Sequence, residues 1–440
     1  MTSPPSLNSE IARLAVPALG ALLAEPAFLL VDSAIVGHLG VAQLAGVGVA
    51  SAVLTTAVGL SVFLAYGTTS QVARLLGAGD LRRALSLGMD GIYLAIGIGV
   101  VLGLLGIPSA AALMRALGAD PIAGQFGARY LLWSLIGLPG MLVVMATTGV
   151  LRGLQDTRTP LLVAVAGAVI NVGLNLLLVL GFHWGVAGSA VGTATTQTAM
   201  AVSLGILVLR HARAHSASLG PDLAGIRGAG AAAVPLLIRT VALRVGILTT
   251  TVVAAKQGQL ALAGHQVVNI IWNFLALALD ALAIAAQALT GKALGAGDAP
   301  AVRHITDAMV RWSLASGAAI GAVILVVAPW VGQLFTPDPL VAHAIGITLV
   351  VVAIAQPVAG YVFLLDGVLI GAGDGKYLAW SGTAAVLVYL PFATLVAARA
   401  PGGPVGLLWL WIAYTAVYLV ARAVAQGVRY RGDRWLVTGS

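Results

Sequence analysis

Long apolar runs, separated by short polar or Gly/Pro-rich breaks, cover almost the whole chain. A membrane-spanning helix needs about 20 apolar residues, and cutting the sequence at these breaks gives twelve runs of suitable length. The predicted spans are 11–36, 43–75, 82–107, 122–149, 159–181, 186–209, 231–255, 260–293, 300–328, 340–369, 376–398 and 404–427. The pattern therefore predicts an all-α polytopic membrane protein with twelve transmembrane helices.

Four short motifs recur at one fixed difference in residue number, here called the repeat offset (294 − 76 for the first motif). They are LGAGD at Leu76 and Leu294, GVLxG at Gly149 and Gly367, LAG at Leu44 and Leu262, and Val-Pro at Val16 and Val234. The repeating unit holds six spans, an even number, so both halves have the same orientation, as in transporters built from parallel repeats with the substrate path between the halves. We expect two pseudo-symmetric six-helix lobes, 1–209 and 231–440, joined by a cytoplasmic linker at 210–230.

The composition agrees with a membrane protein: 60% of the 440 residues are hydrophobic and only 9% are charged, with a mean hydropathy of +1.01. Soluble proteins are about 25% charged. Sixteen Lys and Arg residues, Arg422 among them, fall on the side of both termini, against four on the other side. By the positive-inside rule both termini are cytoplasmic. We therefore attribute the net charge of +8 to topology rather than to nucleic-acid binding, and expect a location in the cell's inner (plasma) membrane.

The sequence contains no signature of an enzyme, a metal cofactor or an ATP-driven pump. It has no cysteine, which excludes disulfides and thiolate metal sites, and no His or acidic cluster with metal-ligand spacing. The repeated GAGD is expected to end one helix at a glycine and cap the next with an aspartate; it lacks the longer glycine pattern of a phosphate-binding loop. Transport energy would then come from an ion gradient or from the substrate's own gradient.

The first span carries two carboxylates, Glu25 and Asp32, together with Pro26. An ionisable side chain at membrane depth is costly and marks a candidate functional site, and proline weakens a helix locally. Asp32 is either fixed in an ion pair or helix cap, or it binds and releases H⁺ or Na⁺. Glu25 is either part of the same cation site or a hydrogen-bonding group at a helix contact. The residue one repeat offset after Asp32 is Thr250, so the coupling carboxylate is not duplicated.

Polar residues in spans five and six are the next candidates. Asn171 and Asn175 are spaced i, i+4 and share one helix face, and Thr193 lies near the start of span six. Such residues often tie helices together by hydrogen bonds. The alternative is that they complete a polar pocket with Asp32.

The second half offers less symmetrical candidates. Asp280 lies near the middle of span eight, while Arg239 and Arg244 lie inside span seven. They form either a buried Arg–Asp pair that fixes packing, or a cation site with an arginine that selects charged substrates. Asp366 is either a hydrogen-bonding group near a helix end or a site residue.

The three histidines near outer helix ends, His38, His183 and His265, are expected at the membrane interface.

Several runs resemble the multidrug and toxic compound extrusion (MATE) family, in particular its DinF-like branch. They are AEPAFLLVDSAIVGHLG, TSQVARLLGAGD, LRGLQDTRTP, AGHQVVNIIWNF, LDALAIAAQALTGKALGAGD and LLDGVLIGAGD. The resemblance covers nearly the whole chain in order. It implies two six-helix lobes and antiport of H⁺ or Na⁺ against small organic compounds that are often cationic or amphipathic.

The resemblance also assigns roles to individual residues. Asp32 falls on the family's first-helix aspartate, which is linked to cation coupling and to bending of that helix at its proline, here Pro26. Asn171, Asn175 and Thr193 fall on the polar positions of the same site. Related sequences often have aspartate in place of Asn175, so this chain has one negative charge fewer there, which favours H⁺ over Na⁺.

In the second half, Asp280 and Asp366 fit the DinF-like pattern, and the seventh-helix glutamate of the Na⁺-coupled branch has no match. This difference also favours H⁺ as the coupling ion.

The leading hypothesis is a monomeric, secondary active exporter that works by alternating access, with Asp32 as the coupling carboxylate and no cofactor beyond the coupling ion. The alternative is a flippase for lipid-linked substrates, which would use Arg239 and Arg244 to bind phosphates. A third hypothesis is a membrane scaffold or enzyme without transport activity. The sequence argues against it, because it has no soluble domain and no set of catalytic residues.

Overall fold

Residues 6–439 are described by a computed structural model, and every regular element in that range is a helix. The helices are α1 Leu7–Gly37, α2 Val41–Leu60, α3 Phe63–Gly77, α4 Leu81–Ala116, α5 Pro121–Ile136, α6 Leu138–Gly153, α7 Arg158–Asn175, α8 Gly185–Ala214, α9 Leu223–Lys256, α10 Gln259–Gly295, α11 Ala299–Phe335, α12 Pro339–Gly371, α13 Gly375–Arg399, α14 Gly403–Ile412 and α15 Val420–Arg431. Twelve helical segments there are long and apolar enough to cross a membrane. The predicted fold class and number of spans are confirmed.

Four of the predicted spans are interrupted helices. The span 43–75 consists of α2 and α3, and the span 122–149 consists of α5 and α6, which meet at Gly137. Pro139, in the first turn of α6, has no backbone N–H to continue the hydrogen bonding of α5. In spans five and twelve, single π-helical turns, Leu176–Gly181 and Ala413–Leu419, follow α7 and α14 directly.

The GAGD motifs have the predicted structural role in both halves. Gly79 and Gly297 adopt φ angles of 79° and 78°, in the left-handed region that ends a helix. Asp80 and Asp298 follow, and each accepts a hydrogen bond at 2.9 Å from a backbone N–H three residues further on. The aspartates therefore cap α4 and α11.

Glycines at corresponding positions allow the same close helix contact in each half. A Cβ atom on Gly149 of α6 would lie 2.5 Å from the carbonyl oxygen of Ala65 in α3, and one on Gly367 of α12 would lie 2.2 Å from that of Ala283 in α10. The glycines and the alanines are each related by the repeat offset (367 − 149 and 283 − 65). Small residues drive helix association in lipid because they let backbones approach, so the motif repeat is also a repeat of helix packing.

The chain forms two compact units, called here the N unit and the C unit. The N unit comprises residues 16–233, and the C unit comprises Val234–Gly439 together with residues 6–15. The first turns of α1 thus group with the C unit, whereas the sequence predicts them in the first lobe. Helices α8 and α9 also extend into the predicted linker 210–230, so that only 215–222 lies outside helices.

The short linker is hydrogen-bonded along one face of α4. Ser86, Asp90 and Tyr93 lie on that face at helical spacing, and each bonds the linker backbone. The bonds are Ser218 N to Ser86 Oγ at 2.9 Å, Asp222 N to Asp90 Oδ1 at 3.0 Å, and Tyr93 Oη to Leu219 O at 2.7 Å. A Cβ atom on Gly225 would lie 2.1 Å from Asp90 Oδ2, so the start of α9 packs directly on this carboxylate.

Substitution Gly149→Ala is expected to destabilise the protein. The added Cβ would lie 2.1 Å from Thr68 Oγ1 and 2.5 Å from the Ala65 carbonyl oxygen, and overpacking of this kind costs about 1–3 kcal/mol. The measurement is the midpoint of thermal unfolding in detergent. The control is Gly205→Ala, where a Cβ would meet no atom within 4 Å, so the midpoint should stay the same or rise. An unchanged midpoint for Gly149→Ala would contradict the packing described here.

Candidate functional site

The carboxylate of Asp32, on α1, is enclosed within the N unit, with 5% of the residue exposed. Tyr130 Oη donates to its Oδ2 at 3.1 Å, Asn175 Nδ2 donates to its Oδ1 at 3.0 Å, and Ser189 Oγ also donates to Oδ1. The three donors come from α5, α7 and α8, so four helices meet at this carboxylate. All three are neutral, and no ion pair to Asp32 occurs within residues 6–439.

Two further residues extend this cluster. Asn171 Oδ1 accepts a second hydrogen bond from Asn175 Nδ2 at 3.2 Å, and Asn171 Nδ2 donates to Thr193 Oγ1 at 3.1 Å. Both asparagines are fully buried. We call the cluster the Asp32 site; its members are Asp32, Tyr130, Asn171, Asn175, Ser189 and Thr193. The structure therefore brings together Asp32 and the polar residues singled out in spans five and six.

Helical spacing and one glycine explain how the site is assembled. Asn171 and Asn175 are one turn apart on α7, and Ser189 and Thr193 are one turn apart on α8. A Cβ atom on Gly192 would lie 2.1 Å from Asn175 Oδ1, so this close approach of α7 and α8 needs glycine. The π-helical turn starts at the residue after Asn175, and such turns are frequent at functional sites.

The environment of Asp32 is chemically suited to binding a proton or a cation. A carboxylate surrounded by neutral donors keeps its negative charge in a low-dielectric setting, where an uncompensated charge is costly. Binding a positive ion removes that cost. Apart from Asp32, the oxygens of the site belong to amide and hydroxyl groups, and no group of three or more His, Cys, Asp or Glu side chains within residues 6–439 is placed to hold a metal ion.

Glu25 and Pro26 are not part of this cluster. Glu25 is exposed and forms no hydrogen bond or ion pair among the described residues, although it lies two helical turns before Asp32. Helix α1 continues through Pro26 without interruption. The bending role of Pro26 and the cation-site role of Glu25 remain predictions.

Asp366 has a very different environment in the C unit, where 3% of the residue is exposed. Its Oδ2 accepts hydrogen bonds from Arg239 Nη2 at 2.5 Å and from Arg422 Nη2, and its Oδ1 accepts one from Gln426 Nε2 at 2.5 Å. These residues link α9, α12 and α15. A buried Arg–Asp pair is thus present in this half, but its acid is Asp366, whereas the pair considered from the sequence had Asp280 as its acid.

Two sequence expectations need correction here. Arg422 is counted with the cytoplasmic basic residues in the topology analysis, but it is 5% exposed and ion-paired inside the C unit. His265 is expected at the membrane interface, but it is fully buried, whereas His38 and His183 are exposed. In both cases the partners lie on other helices, which spacing along one helix does not reveal.

The other two candidates of the second half are more exposed than Asp366. Arg244 is exposed on α9, and Asp280 is partly exposed on α10. Neither is among the hydrogen-bond partners of Asp366 within residues 6–439.

Sequence reasoning missed four residues of these clusters. Ser189 could have been found, because it precedes Thr193 by one helical turn on the same face. Tyr130, Arg422 and Gln426 carry no local signal: each lies on a helix far along the chain from the carboxylate that it contacts.

Twelve spans in two parallel repeats, with a buried carboxylate among polar side chains, define the architecture of a secondary transporter. A family model described as MatE matches residues 17–177 and again residues 235–395. The chain belongs to this MATE family of multidrug and toxin efflux transporters, which export small organic compounds across membranes and are not enzymes. The starts of the two matched segments are separated by the repeat offset (235 − 17), as the motif repeat predicts.

Relatives match over almost the full chain. Protein DETOXIFICATION 44, chloroplastic, of Arabidopsis thaliana is 32% identical, covering 96% of this chain and 83% of the relative. DNA damage-inducible protein F of Escherichia coli is 26% identical, with 97% and 92% covered. The crystal structure of the Vibrio cholerae MATE transporter VcmN in the bent form has a TM-score of 0.88 at 22% identity, with 98% and 97% covered. That structure supports the fold.

Substitution Gly192→Ala is expected to disrupt the Asp32 site, because the new Cβ would collide with Asn175 Oδ1 and push the amide away from Asp32. We expect loss of most pH-driven export of ethidium from proteoliposomes, and a loss of stability of about 1–3 kcal/mol. The control is Gly173→Ala, on the neighbouring α7, where a Cβ would meet nothing within 4 Å. Equal export by both variants would show that the Gly192 contact does not matter.

Proposed function

We propose that this protein is a secondary active exporter of small organic compounds, driven by antiport with H⁺ that binds at Asp32. The observation that carries the proposal is the neutral donor set around a buried carboxylate in a chain of the MATE family. A fixed ion pair would hold the carboxylate charged throughout the transport cycle. Three neutral donors leave it free to change its charge.

Protonation of Asp32 would change the packing of four helices. The ionised carboxylate only accepts hydrogen bonds, whereas the protonated form also donates one. The protonated oxygen is a weaker acceptor, so the hydrogen bond from at least one of the three donors, Tyr130, Asn175 or Ser189, weakens or breaks. The hydrogen-bond network must then rearrange. The charge on Asp32 is thus coupled to the fit of α1 against α5, α7 and α8, which is what alternating access requires. Pro26 would allow α1 to bend in that step.

The donor set favours H⁺ over Na⁺. A sodium ion is held by several oxygen ligands, and Asp32 is the one carboxylate of the site, so that the other ligands would have to be neutral amide and hydroxyl oxygens. All three side chains that contact Asp32 do so as donors, an arrangement suited to a carboxylate rather than to a bound cation.

We further propose the plasma membrane as the location, cytoplasmic termini and a monomeric state, with cationic or amphipathic substrates. The bacterial relatives support the location, and the distribution of basic residues supports the cytoplasmic termini; the monomeric state and the substrate class are proposed from the family resemblance. No observation favours the flippase alternative, because Arg239, one of its two phosphate-binding arginines, is engaged with Asp366.

Substitution Asp32→Asn should abolish coupling. In proteoliposomes loaded with ethidium and placed in acidic medium, the wild type should export the dye faster as the pH difference grows, and the variant should not respond to it. The control is Asp120→Asn, which changes the N-cap of α5, where asparagine also caps well. Full pH-driven export by Asp32→Asn would overturn the assignment of the coupling residue.

The identity of the ion is tested separately on the wild type. An inward pH gradient at equal Na⁺ on both sides should drive ethidium export, because Asp32 exchanges protons. An inward Na⁺ gradient at equal pH should give no export above the rate of downhill leakage. Export driven by Na⁺ alone would contradict H⁺ as the coupling ion and indicate Na⁺ instead. The assignment of Asp32 as the coupling residue would then still be tested by Asp32→Asn.

A further inference from the structure

The Asp32 site has a counterpart in the C unit, at the positions reached by adding the repeat offset. The backbone shows the same correspondence near the site. Gly185 and Gly403, which are related by the repeat offset and stand at the starts of α8 and α14, have positive φ angles of 58° and 73°. The residues that correspond to Asp32, Tyr130, Asn171, Asn175, Ser189 and Thr193 are Thr250, Thr348, Tyr389, Ala393, Leu407 and Trp411. The carboxylate is gone, but four of the six positions remain polar or carry an N–H group.

Three of these counterpart residues have buried polar atoms without a hydrogen-bond partner among the described residues. They are Thr348 Oγ1, Tyr389 Oη and Trp411 Nε1, and all three residues are fully buried. An unsatisfied buried polar group is costly, so native structures rarely contain several in one place. Their gathering at the positions of the Asp32 site indicates a second polar site.

His265 supplies a titratable group at this place. It is fully buried on α10, and its Nε2 lies 3.0 Å from Thr251 Oγ1 and 3.5 Å from Oγ1 of Thr250, the counterpart of Asp32. Its imidazole contacts the indole of Trp411, with ring centroids 5.8 Å apart. The other ring nitrogen, Nδ1, is buried and has no hydrogen-bond partner within residues 6–439.

The packing next to His265 supports its placement between helices. A Cβ atom on the preceding residue, Gly264, would lie 2.6 Å from Leu407 Cδ2 and about 4 Å from side chains of α12. Leu407 is the counterpart of Ser189, which donates to Asp32 in the N unit. Close helix approach therefore brings the imidazole to the counterpart positions on α9 and α14.

The surroundings of His265 are aromatic and hydroxylic. The titratable side chains in the cluster are three tyrosines: Tyr414, which contacts Trp411 with centroids 5.6 Å apart, and Tyr389 and Tyr418, which contact Tyr414. Charged groups meet this cluster at Tyr418: the guanidinium of Arg422 lies 5.8 Å from its ring centroid, and Asp366 and Arg239, which pair with each other, also interact electrostatically with Tyr418.

We propose that His265 is a second proton-binding site of this transporter, in the C unit at the position that corresponds to the Asp32 site. A hydronium ion would give its proton to Nδ1, so that one N–H bond forms, one O–H bond breaks and a water molecule leaves; no bond of the protein breaks. The hydroxyl oxygens of Tyr389 and Thr348 are the acceptors available at the counterpart positions. Histidine is the side chain that ordinarily changes charge between about pH 5 and 8. With no carboxylate and an indole N–H donor, the site does not suit Na⁺.

This inference rests on the proposed function for its role in transport, but its test does not depend on Asp32. The purified protein, labelled with ¹⁵N-histidine, is titrated in detergent and followed by NMR. We expect one imidazole that remains in a single neutral form at high pH and becomes protonated on Nδ1 as the pH falls. Substitution His265→Gln should remove that signal, whereas His38→Gln, at an exposed position, should leave it. A His265 ring that stays neutral over the whole range of pH in which the protein is folded would overturn the proposal.

Proton release on addition of ethidium gives an independent readout. Asp32→Asn should reduce the number of protons released by roughly half, and the double variant with His265→Gln should abolish release, since bound protons are linked to substrate binding. If Asp32→Asn alone abolishes all proton release, His265 is not a coupled site. In that case, the function proposed for Asp32 still stands.

If His265→Gln does not fold, a second variant, Tyr389→Phe, still tests whether His265 binds a proton. Tyr389→Phe removes one proposed acceptor and keeps the ring. It should shift the titration of the buried imidazole to lower pH while the protein remains folded, because the imidazolium loses a hydrogen bond. An unchanged titration would contradict the assignment of Tyr389 to this site.

Discussion

An ionised carboxylate placed within the membrane must be compensated by its own protein, and the two units do this in opposite ways. Asp32 is surrounded by neutral hydrogen-bond donors, whereas Asp366 is held by two guanidinium groups. A carboxylate between two arginines is strongly favoured in its charged form and fixes the helices that bear the charges. A carboxylate among neutral donors retains a choice between two protonation states. This difference is the basis of the role proposed for Asp32.

This division also explains why the repeat is imperfect. The glycine contacts and the helix caps recur at the repeat offset because each half must pack six helices in the same way. The buried charged residues do not recur: Asp32 has Thr250 as its counterpart, and the position corresponding to Asp366 is Thr148. The two halves share a scaffold, while each unit has its own buried ionisable groups.

The sequence predicts most of the fold because the signals for it are local. Apolar run length gives the spans, glycine and aspartate give their ends, and the motif spacing gives the repeat. Part of the Asp32 site is predictable for the same reason, since Asn171 and Asn175 share a helix face and Thr193 opens the next span. These residues need only the helical period and the knowledge that polar groups inside a membrane seek partners.

The remaining site residues depend on tertiary contact. Tyr130 is 98 residues from Asp32 and Arg422 is 56 residues from Asp366, and nothing in either local sequence points to those carboxylates. Arg422 looks like an ordinary basic residue near a cytoplasmic helix end. His265 looks like an interfacial histidine, until α14 is seen to bring Trp411 against its ring. A single sequence cannot supply which helices lie side by side.

The linker on α4 gives the junction of the two repeats an unusual character. Residues 218–222 are hydrogen-bonded to Ser86, Asp90 and Tyr93, yet in the order of the chain they lead into α9, the first helix of the second repeat. Along the chain these residues belong to the connection into the second repeat, but they pack against a helix of the first repeat. Cleavage of the backbone after Ser216 would divide the polypeptide, but the second fragment would carry its own docking segment for the first. The attachment of residues 218–222 to α4 is thus non-covalent as well as covalent, and on the linker side it uses backbone N–H and C=O groups.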